Sequence, residues 1–508
     1  MQVHQFLENS AQRTPEKAAA WYKDDWITFA ALELQANKLA NYLKKKHIHR
    51  GDRVAILYEN SFHYIIAYYA ILKVGGVTVA LNTATTSEAL NYILKDSGAK
   101  AIITNSKFSD HLLPALIKAP NLKHVIIDQE SLADYEAIGH CDQVRWDDVL
   151  TSESNSHPSV RGIDIDLASI VYTSGSTGKP KGVTLSHLNI VSNTRSIVSY
   201  LELTADDRVM VVLPFYYIYG KSLLNTHFYV GGSVVIDNSF AYPNVVLKNM
   251  EKTGVTGFSG VPSTFIILLS HSKVRDHNFP QLRYITQAGG AMAPAVQKDV
   301  AQVFSNARVF IMYGATEASA RLSYLEPEML TQKWGSIGKA IPNVDLFVAD
   351  EAGKPLPQGQ EGEIVARGSN LMVGYWNDQL ETEQVLKNGL YYTGDIGKMD
   401  KDGYLYVVGR KKDMIKVGGE RVSAKEVEEN ILEINDVQEV AVIGVPDKIM
   451  GEAIKAFIIP LPHSELDEQK VLGALRISLP AFKLPKYIEF VKELPKNESG
   501  KILKTKLK

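Results

Sequence analysis

The chain has 508 residues, 45% of them hydrophobic and 22% charged, with a formal net charge of −2 and one cysteine, Cys141. That length exceeds a single hydrophobic core and implies roughly two to four domains or subdomains. The near-neutral balance lacks the basic footprint of a nucleic-acid binder, and the lone cysteine excludes an internal disulfide and fits a reducing, cytoplasmic setting. The longest apolar stretch, Val209 to Gly220, is about a dozen residues and too short to span a bilayer. The N-terminus "MQVHQFLENSAQ" has no basic start or apolar core of a signal peptide. The histidines show no metal-ligand spacing.

In chain order, "LELQANKLANYL" places Leu32, Ala36, Leu39, Ala40 and Leu43 on one helical face. "RVAILYEN" reads as a buried strand, "SFHYIIAYYAILKVG" as a helix closed by glycine, and "AKAIITN" as another strand. That alternation predicts a largely parallel sheet covered by helices. A second such region runs from about Asp206 to Thr316, with strands near "RVMVVLPF", "GSVVID", "VTGFSGVP", "LRYITQAG" and "ARVFIMYG". From about Asp345 the strands shorten and turns multiply, as in a small β-rich subdomain. Beyond Arg410, "GRKKDMIKVGGERV" is polar and carries a glycine pair, and a further strand-and-helix pattern follows. A domain boundary is expected there, giving domains over 1–410 and 411–508.

Between these elements lie polar motifs. "YTSGSTGKPKG", Tyr172 to Gly182, has the composition of a phosphate cradle. Glycines let the backbone approach an anion, while hydroxyls and Lys179 and Lys181 add donors and charge. It is not a Walker loop: Thr173 stands where the first glycine belongs, and Pro180 follows Lys179 in place of a magnesium-binding hydroxyl. A flexible linker is the bland alternative, although two lysines and a proline after the apolar strand pattern "LASIVYT" are unusual for one. "YGATE", Tyr313 to Glu317, ends in a hydroxyl and a carboxylate. "YYTGD" ends in Asp395, a carboxylate beside a glycine, which suits ribose hydroxyls. "NESGK" places Lys501 after a glycine turn. Singly, Glu317 reads as a helix-start acid, Asp395 as a turn residue and Lys501 as a solvated lysine.

Together and in order, "YTSGSTGKPKG", "LPFYYIYG", "AGGAMAP", "YGATE", "GEIVARGSNLMVGYW", "YYTGD", "GRKKDMIKVGGERVSAKEVE" and "NESGK" resemble the adenylate-forming superfamily of acyl-CoA synthetases, adenylation domains and luciferases. The resemblance implies an α/β fold. Its large N-terminal part would hold two parallel-sheet subdomains and a small β-rich one, followed by a small, mobile α+β C-terminal domain. It also implies ATP, Mg2+ and coenzyme A, or a carrier-protein phosphopantetheine supplied in trans, acting on a small carboxylic acid. No nucleic acid or membrane span is implied, and a homodimer stays open.

The same resemblance assigns residues. Thr173, Ser174, Gly175, Ser176, Thr177, Gly178 and Lys181 would hold the departing phosphates. Glu317 would hold magnesium, and Thr316 the α-phosphate. Gly289, Gly290 and Ala291, with Tyr313, Gly314 and Ala315, would line the adenine slot, and Asp395 and Arg410 would bind ribose. Lys501 would bridge the substrate carboxylate and the α-phosphate. Lys412 would be the hinge of a swing that brings in Lys416, Gly418, Gly419 and Arg421 for thioester formation. Gly418-Gly419 also reads as a plain hairpin turn.

Three features depart from the family pattern, one being Ala424 in place of the proline usual in the late motif, which should loosen that turn without affecting chemistry. Tyr217 stands where many members have a histidine gate, and it also reads as an aromatic core residue. An aspartate that would bind an α-ammonium is missing beside it, which disfavours amino acids. The surrounding aromatics, with Gly220, suggest an aryl or medium acyl group. Lys221 is expected to snorkel or pair near the surface, with a second acidic group on the substrate as the alternative. A luciferase-type oxygenase and a catalytically inactive ligand-binding relative are the competing readings.

Overall fold

The computed structural model describes residues 1–128, 135, 138–173, 179–417, 420–447, 449–462, 464–496 and 502–507, with the side chain of Arg421 also left aside. Two large sheets carry the N-terminal part. The first has at its centre parallel strands Arg53–Leu57, Val77–Ala80, Ala101–Asn105, His124–Asp128, Asp142–Arg145 and Leu167–Thr173. Lys181–Ser186 turns back antiparallel on the last of these.

The second sheet runs in parallel through Arg308–Tyr313, Tyr284–Gln287, Gly257–Gly260, Arg208–Val211 and Ser233–Ile236. These are the strands expected from their apolar runs. One neighbour was not expected. Ala18–Tyr22, near the N-terminus, pairs parallel with Ser233–Ile236 and extends the second sheet, not the first. Its short "AAAWY" run carries no signal of a partner more than 200 residues away.

Val344–Ala349, Glu361–Gly368, Leu390–Met399 and Leu405–Arg410 form a separate antiparallel sheet, the β-rich unit read from the shortened strands. Beyond Arg410, the hairpin Met414–Val417 and Glu420–Ser423 joins Val437–Asp447, Gly451–Pro460 and Tyr487–Phe490 in a fourth sheet, with helices Ala424–Leu432 and Glu468–Ser478 against it. The fold is therefore α/β with a smaller α+β C-terminal unit. No helix among the described residues is long and apolar enough to cross a membrane.

Helix Phe62–Lys73 is apolar nearly all round and buried, as such a helix must be. It packs on helix Ile218–Val230, with Tyr69 stacked on Phe228 at 5.6 Å. Two lysines are sealed in this region and differ in one respect. Lys73 Nζ donates to Glu8 at 2.6 Å and to Glu33 at 2.7 Å. Lys221 has no such partner, and this corrects the expectation that it snorkels. It is 1% exposed, its Nζ makes no hydrogen bond, and it sits 5.3 Å from the Tyr64 ring and 4.7 Å from the Tyr68 ring. Helical phase explains the outcome. Lys221 lies on the face that packs against helix Phe62–Lys73, too deep for its stem to reach water.

Burial without a counter-ion lowers the Lys221 amine from its ordinary 10.5 to about 7. The unfolded chain keeps that proton up to about pH 10.5, whereas the folded chain releases it above about 7. The penalty is therefore full below pH 7 and fades as pH rises towards 10.5. Lys221→Met should raise the melting temperature most at pH 6 and least near pH 10, measured by thermal unfolding across that range. Lys73→Met should do the reverse in sign. It leaves Glu8 and Glu33 facing each other and should cost about 3–5 kcal/mol in urea unfolding at pH 7.

Candidate active site

Among the described residues, two of the polar motifs meet where parallel strands of the second sheet end. Thr286 and Gln287 lie beside Phe310 and Ile311 in adjacent parallel strands, so both chains leave the sheet at the same edge. Open α/β sheets bind ligands outside such carboxyl ends. One chain continues into Gly289, Gly290 and Ala291, which are exposed, with Gln287 Nε2 donating to the Gly290 carbonyl at 2.9 Å. The other continues into Gly314, Ala315 and the single turn Thr316–Ala318 that carries Glu317. Glycine is required at 314, because a Cβ there would lie 1.9 Å from the Ala320 carbonyl oxygen.

Asp395 joins three motifs. Tyr313 donates its hydroxyl to Asp395 Oδ2 at 2.5 Å, and Arg410 Nε lies 2.6 Å from Asp395 Oδ1. Sheet register makes the second contact, since Asp395 and Arg410 face each other across antiparallel strands. Asp395 is 4% exposed, and its backbone N–H donates to Thr393 Oγ1 at 3.1 Å. Burial, reinforced by the Asp395 charge, pushes the Tyr313 phenol well above its ordinary value, so it stays a donor.

A second cluster gathers around Tyr375. Its hydroxyl donates to Glu317 Oε1 at 2.8 Å, and its ring lies 5.6 Å from Lys181 Nζ. Lys181 is paired with Glu381, from the short helix Gln379–Val385. Strand Gly374–Tyr375 brings this segment in by pairing with Lys181–Ser186, Tyr375 opposite Val183. Tyr391 is buried in the hydrophobic cluster against which Tyr313 packs. Burial first, then the charge of Glu317 and the neighbouring Tyr313 and Tyr375, raise its phenol, and Arg410 opposes them. Neither Tyr375 nor Glu381 was singled out from sequence. The "GYW" of the sequence motif was the available signal for the first, and a lone glutamate gives none for the second.

Thr173 and Lys181 face each other at the open end of their strand pair, with Tyr172 just behind donating to Asp96 Oδ2 at 2.6 Å. Ser174, Gly175, Ser176, Thr177 and Gly178 lie outside the described residues, as do Gly418, Gly419 and Lys501. Lys412 is exposed in the single turn Lys411–Asp413 between strands Leu405–Arg410 and Met414–Val417. Lys416 is exposed and lies opposite Arg421 in the hairpin, and its backbone N–H donates to Glu452 at 2.6 Å.

Tyr217 precedes helix Ile218–Val230 and accepts from Asn82 Nδ2 at 3.3 Å, with Tyr216 4.7 Å away. Gly220 faces no open space: a Cβ there would meet the Pro214 carbonyl oxygen at 2.2 Å, so the residue lets the helix start press against that backbone. Tyr219 points to the strand ends, its hydroxyl 2.9 Å from Thr286 Oγ1.

Comparison with known proteins accounts for the whole length. Residues 7–376 match the AMP-binding enzyme family and residues 426–501 the AMP-binding enzyme C-terminal domain. A long-chain-fatty-acid–CoA ligase of Bacillus subtilis (strain 168) is 32% identical over 99% of this chain and 94% of its own. A feruloyl-CoA synthase of an Amycolatopsis species is 34% identical over 97% and 96%. The crystal structure of an anthranilate CoA ligase in complex with anthranoyl-AMP superposes with a TM-score of 0.91, at 27% identity, covering 100% of this chain and 96% of the other. On these matches, and with two of the motifs brought together at the strand ends, the chain belongs to the AMP-binding enzyme family.

Proposed function

We propose that this protein is an ATP-dependent acid–thiol ligase. It converts a carboxylic acid into an acyl-adenylate with release of pyrophosphate, and then transfers the acyl group to the thiol of coenzyme A. The observation that carries this reading is the grouping of Tyr313, Asp395 and Arg410 at the strand end from which Glu317 follows, with Tyr375 bonded to Glu317 and Lys181 over the Tyr375 ring. An enzyme using soluble acid and CoA fits the cytoplasm, the compartment that suits a chain with one cysteine.

A carboxylate is a poor acyl donor because oxide cannot leave. In the first half-reaction a carboxylate oxygen attacks the α-phosphorus of ATP, and the bond to the β-phosphate oxygen breaks. Asp395 accepts from the ribose hydroxyls, with its carboxylate already oriented by Tyr313 and Arg410. Gly289, Gly290 and Ala291 line the adenine with Tyr313, Gly314 and Ala315. The 173–178 loop and Lys181 take the β- and γ-phosphates, and Thr316 the α-phosphate.

Glu317 fits magnesium, which needs one or two carboxylates when phosphates and water complete its shell. Among the described residues no group of three His, Cys, Asp or Glu offers a cage of its own. Bound there, the ion neutralises charge on the phosphate oxygens. Lys501 spans the two anions that otherwise repel each other. In the second half-reaction the thiol sulfur attacks the acyl carbon, its proton passes to solvent, and AMP departs with the bonding pair. The boundary near Arg410 and the turn holding Lys412 suit a hinge that exchanges Lys501 for Lys416, Gly418, Gly419 and Arg421.

Lys501→Ala should slow acyl-adenylate formation by on the order of 10² to 10³ or more, with the melting temperature near that of the unaltered protein. Given synthetic acyl-adenylate and CoA, the same variant should still form thioester. Near-normal pyrophosphate release would overturn the assignment. Lys412→Pro should spare pyrophosphate release and slow thioester formation, since proline fixes φ near −65° and a hinge must change its dihedrals. Equal loss in both half-reactions would point to misfolding instead.

A further inference from the structure

A third buried cation lies close to Glu317. Arg321 is 2% exposed, four residues past Glu317, and no carboxylate among the described residues pairs with it. Its Nε donates to the Met312 sulfur at 3.3 Å and its Nη1 to the Ala320 carbonyl at 3.0 Å, while its guanidinium lies 4.0 Å from the Tyr219 ring centre. A buried charge is costly unless an opposite charge meets it. A thioether, one carbonyl, an aromatic face and hydrogen bonds to the Tyr200 and Tyr219 hydroxyls supply dipoles but no opposite charge.

The backbone is shaped to hold this side chain in place. Ser319 has φ 55° and Ala320 φ 113°, conformations that cost a non-glycine residue free energy and persist where surroundings enforce them. The enforcement is visible. Asn193 and Asn370 both donate to the Arg321 carbonyl at 2.9 Å, and Ala320 is pressed against Gly314. Strain of this kind, next to Glu317 and followed by an unmatched cation, is the pattern of a residue held ready for a ligand.

Position on the first turn of helix Ile218–Val230 supplies the direction. Tyr219 and Lys221 are two residues apart, so their side chains leave the helix roughly 200° from each other. Lys221 goes to helix Phe62–Lys73, whereas Tyr219 goes to Thr286 at the strand ends and carries Arg321 on its ring. Arg321 therefore lies with Tyr219 toward the strand ends that carry the site. Burial raises the Tyr200 and Tyr219 phenols, and the Arg321 charge draws both back, which places those phenols around it. The positive end of the helix adds to the same field.

We propose that Arg321 selects the acid: it pairs with a second carboxylate at the far end of the acyl group, so that the preferred substrate is a dicarboxylic acid activated at one end. This rests on the acid–thiol ligase reading, in which the acyl group lies beside Tyr217. Guanidinium and carboxylate match as a planar, two-point pair, and a site built for such a group rejects an analogue lacking it.

The test compares straight-chain diacids of about four to twelve carbons, and benzene-1,4-dicarboxylate, each against the monoacid of equal length. Pyrophosphate release gives kcat/KM, and calorimetry gives binding without turnover. The unaltered enzyme should favour one diacid over its monoacid by on the order of 10²-fold or more. Arg321→Met should lower that ratio at least about tenfold, while Arg321→Lys, which keeps the charge, should retain part of it. A merely structural Arg321 would lower both acids by one factor, and that result overturns the proposal. So does the absence of any diacid preference in turnover or binding. Binding of a diacid that depends on Arg321, with no pyrophosphate released from any acid, would uphold Arg321 and count against the adenylation reading instead.

Discussion

The carboxylate of Asp395 ties together segments that are far apart in the chain. It takes a proton donor from Tyr313 at the end of the second sheet and an ion pair from Arg410 at the last strand before the C-terminal unit. A buried carboxylate needs such partners, and the partners fix its position. The β-rich sheet is thereby set against the strand ends, and the path of the chain into the C-terminal unit starts from a residue already held. Glu317, Tyr375 and Lys181 gather around that fixed point.

Charge placement follows one rule with three outcomes. Lys73 is buried and matched by Glu8 and Glu33, and it serves cohesion. Lys221 is buried and unmatched among aromatic rings, and its amine gives up its proton near pH 7. Arg321 is buried with hydroxyl, carbonyl and thioether partners and an aromatic face, and no carboxylate among the described residues meets it. Of the three it alone lies toward the strand ends without a carboxylate beside it, which is why it is the one that calls for a ligand.

The polar segments around the site make sense in the same terms. Lys181 is paired with Glu381, so its charge is compensated within the protein. Tyr375 serves both sides, donating to Glu317 and presenting its ring to Lys181. Charges drawn together in this way are tolerable because each has a partner within the protein.

Local chemistry was legible in the sequence. Apolar runs such as "RVAIL" and "RVFIMY" became strands because burial on both faces of a parallel sheet needs little more than continuous hydrophobicity. The motif order, the phosphate-loop composition, and Glu317 and Asp395 were also visible, because each depends on residue type and near neighbours. Long-range partnership was not. The strand Ala18–Tyr22 could have joined either sheet, and packing of the whole N-terminal part decided for Ser233–Ile236. The sequence marked Lys221 and passed over Arg321, since an isolated cation in an apolar run stands out and one after "YGATEASA" does not. Which of them faces the site is a matter of helical phase and of a strained turn held by Asn193 and Asn370, and those exist only once distant segments have packed.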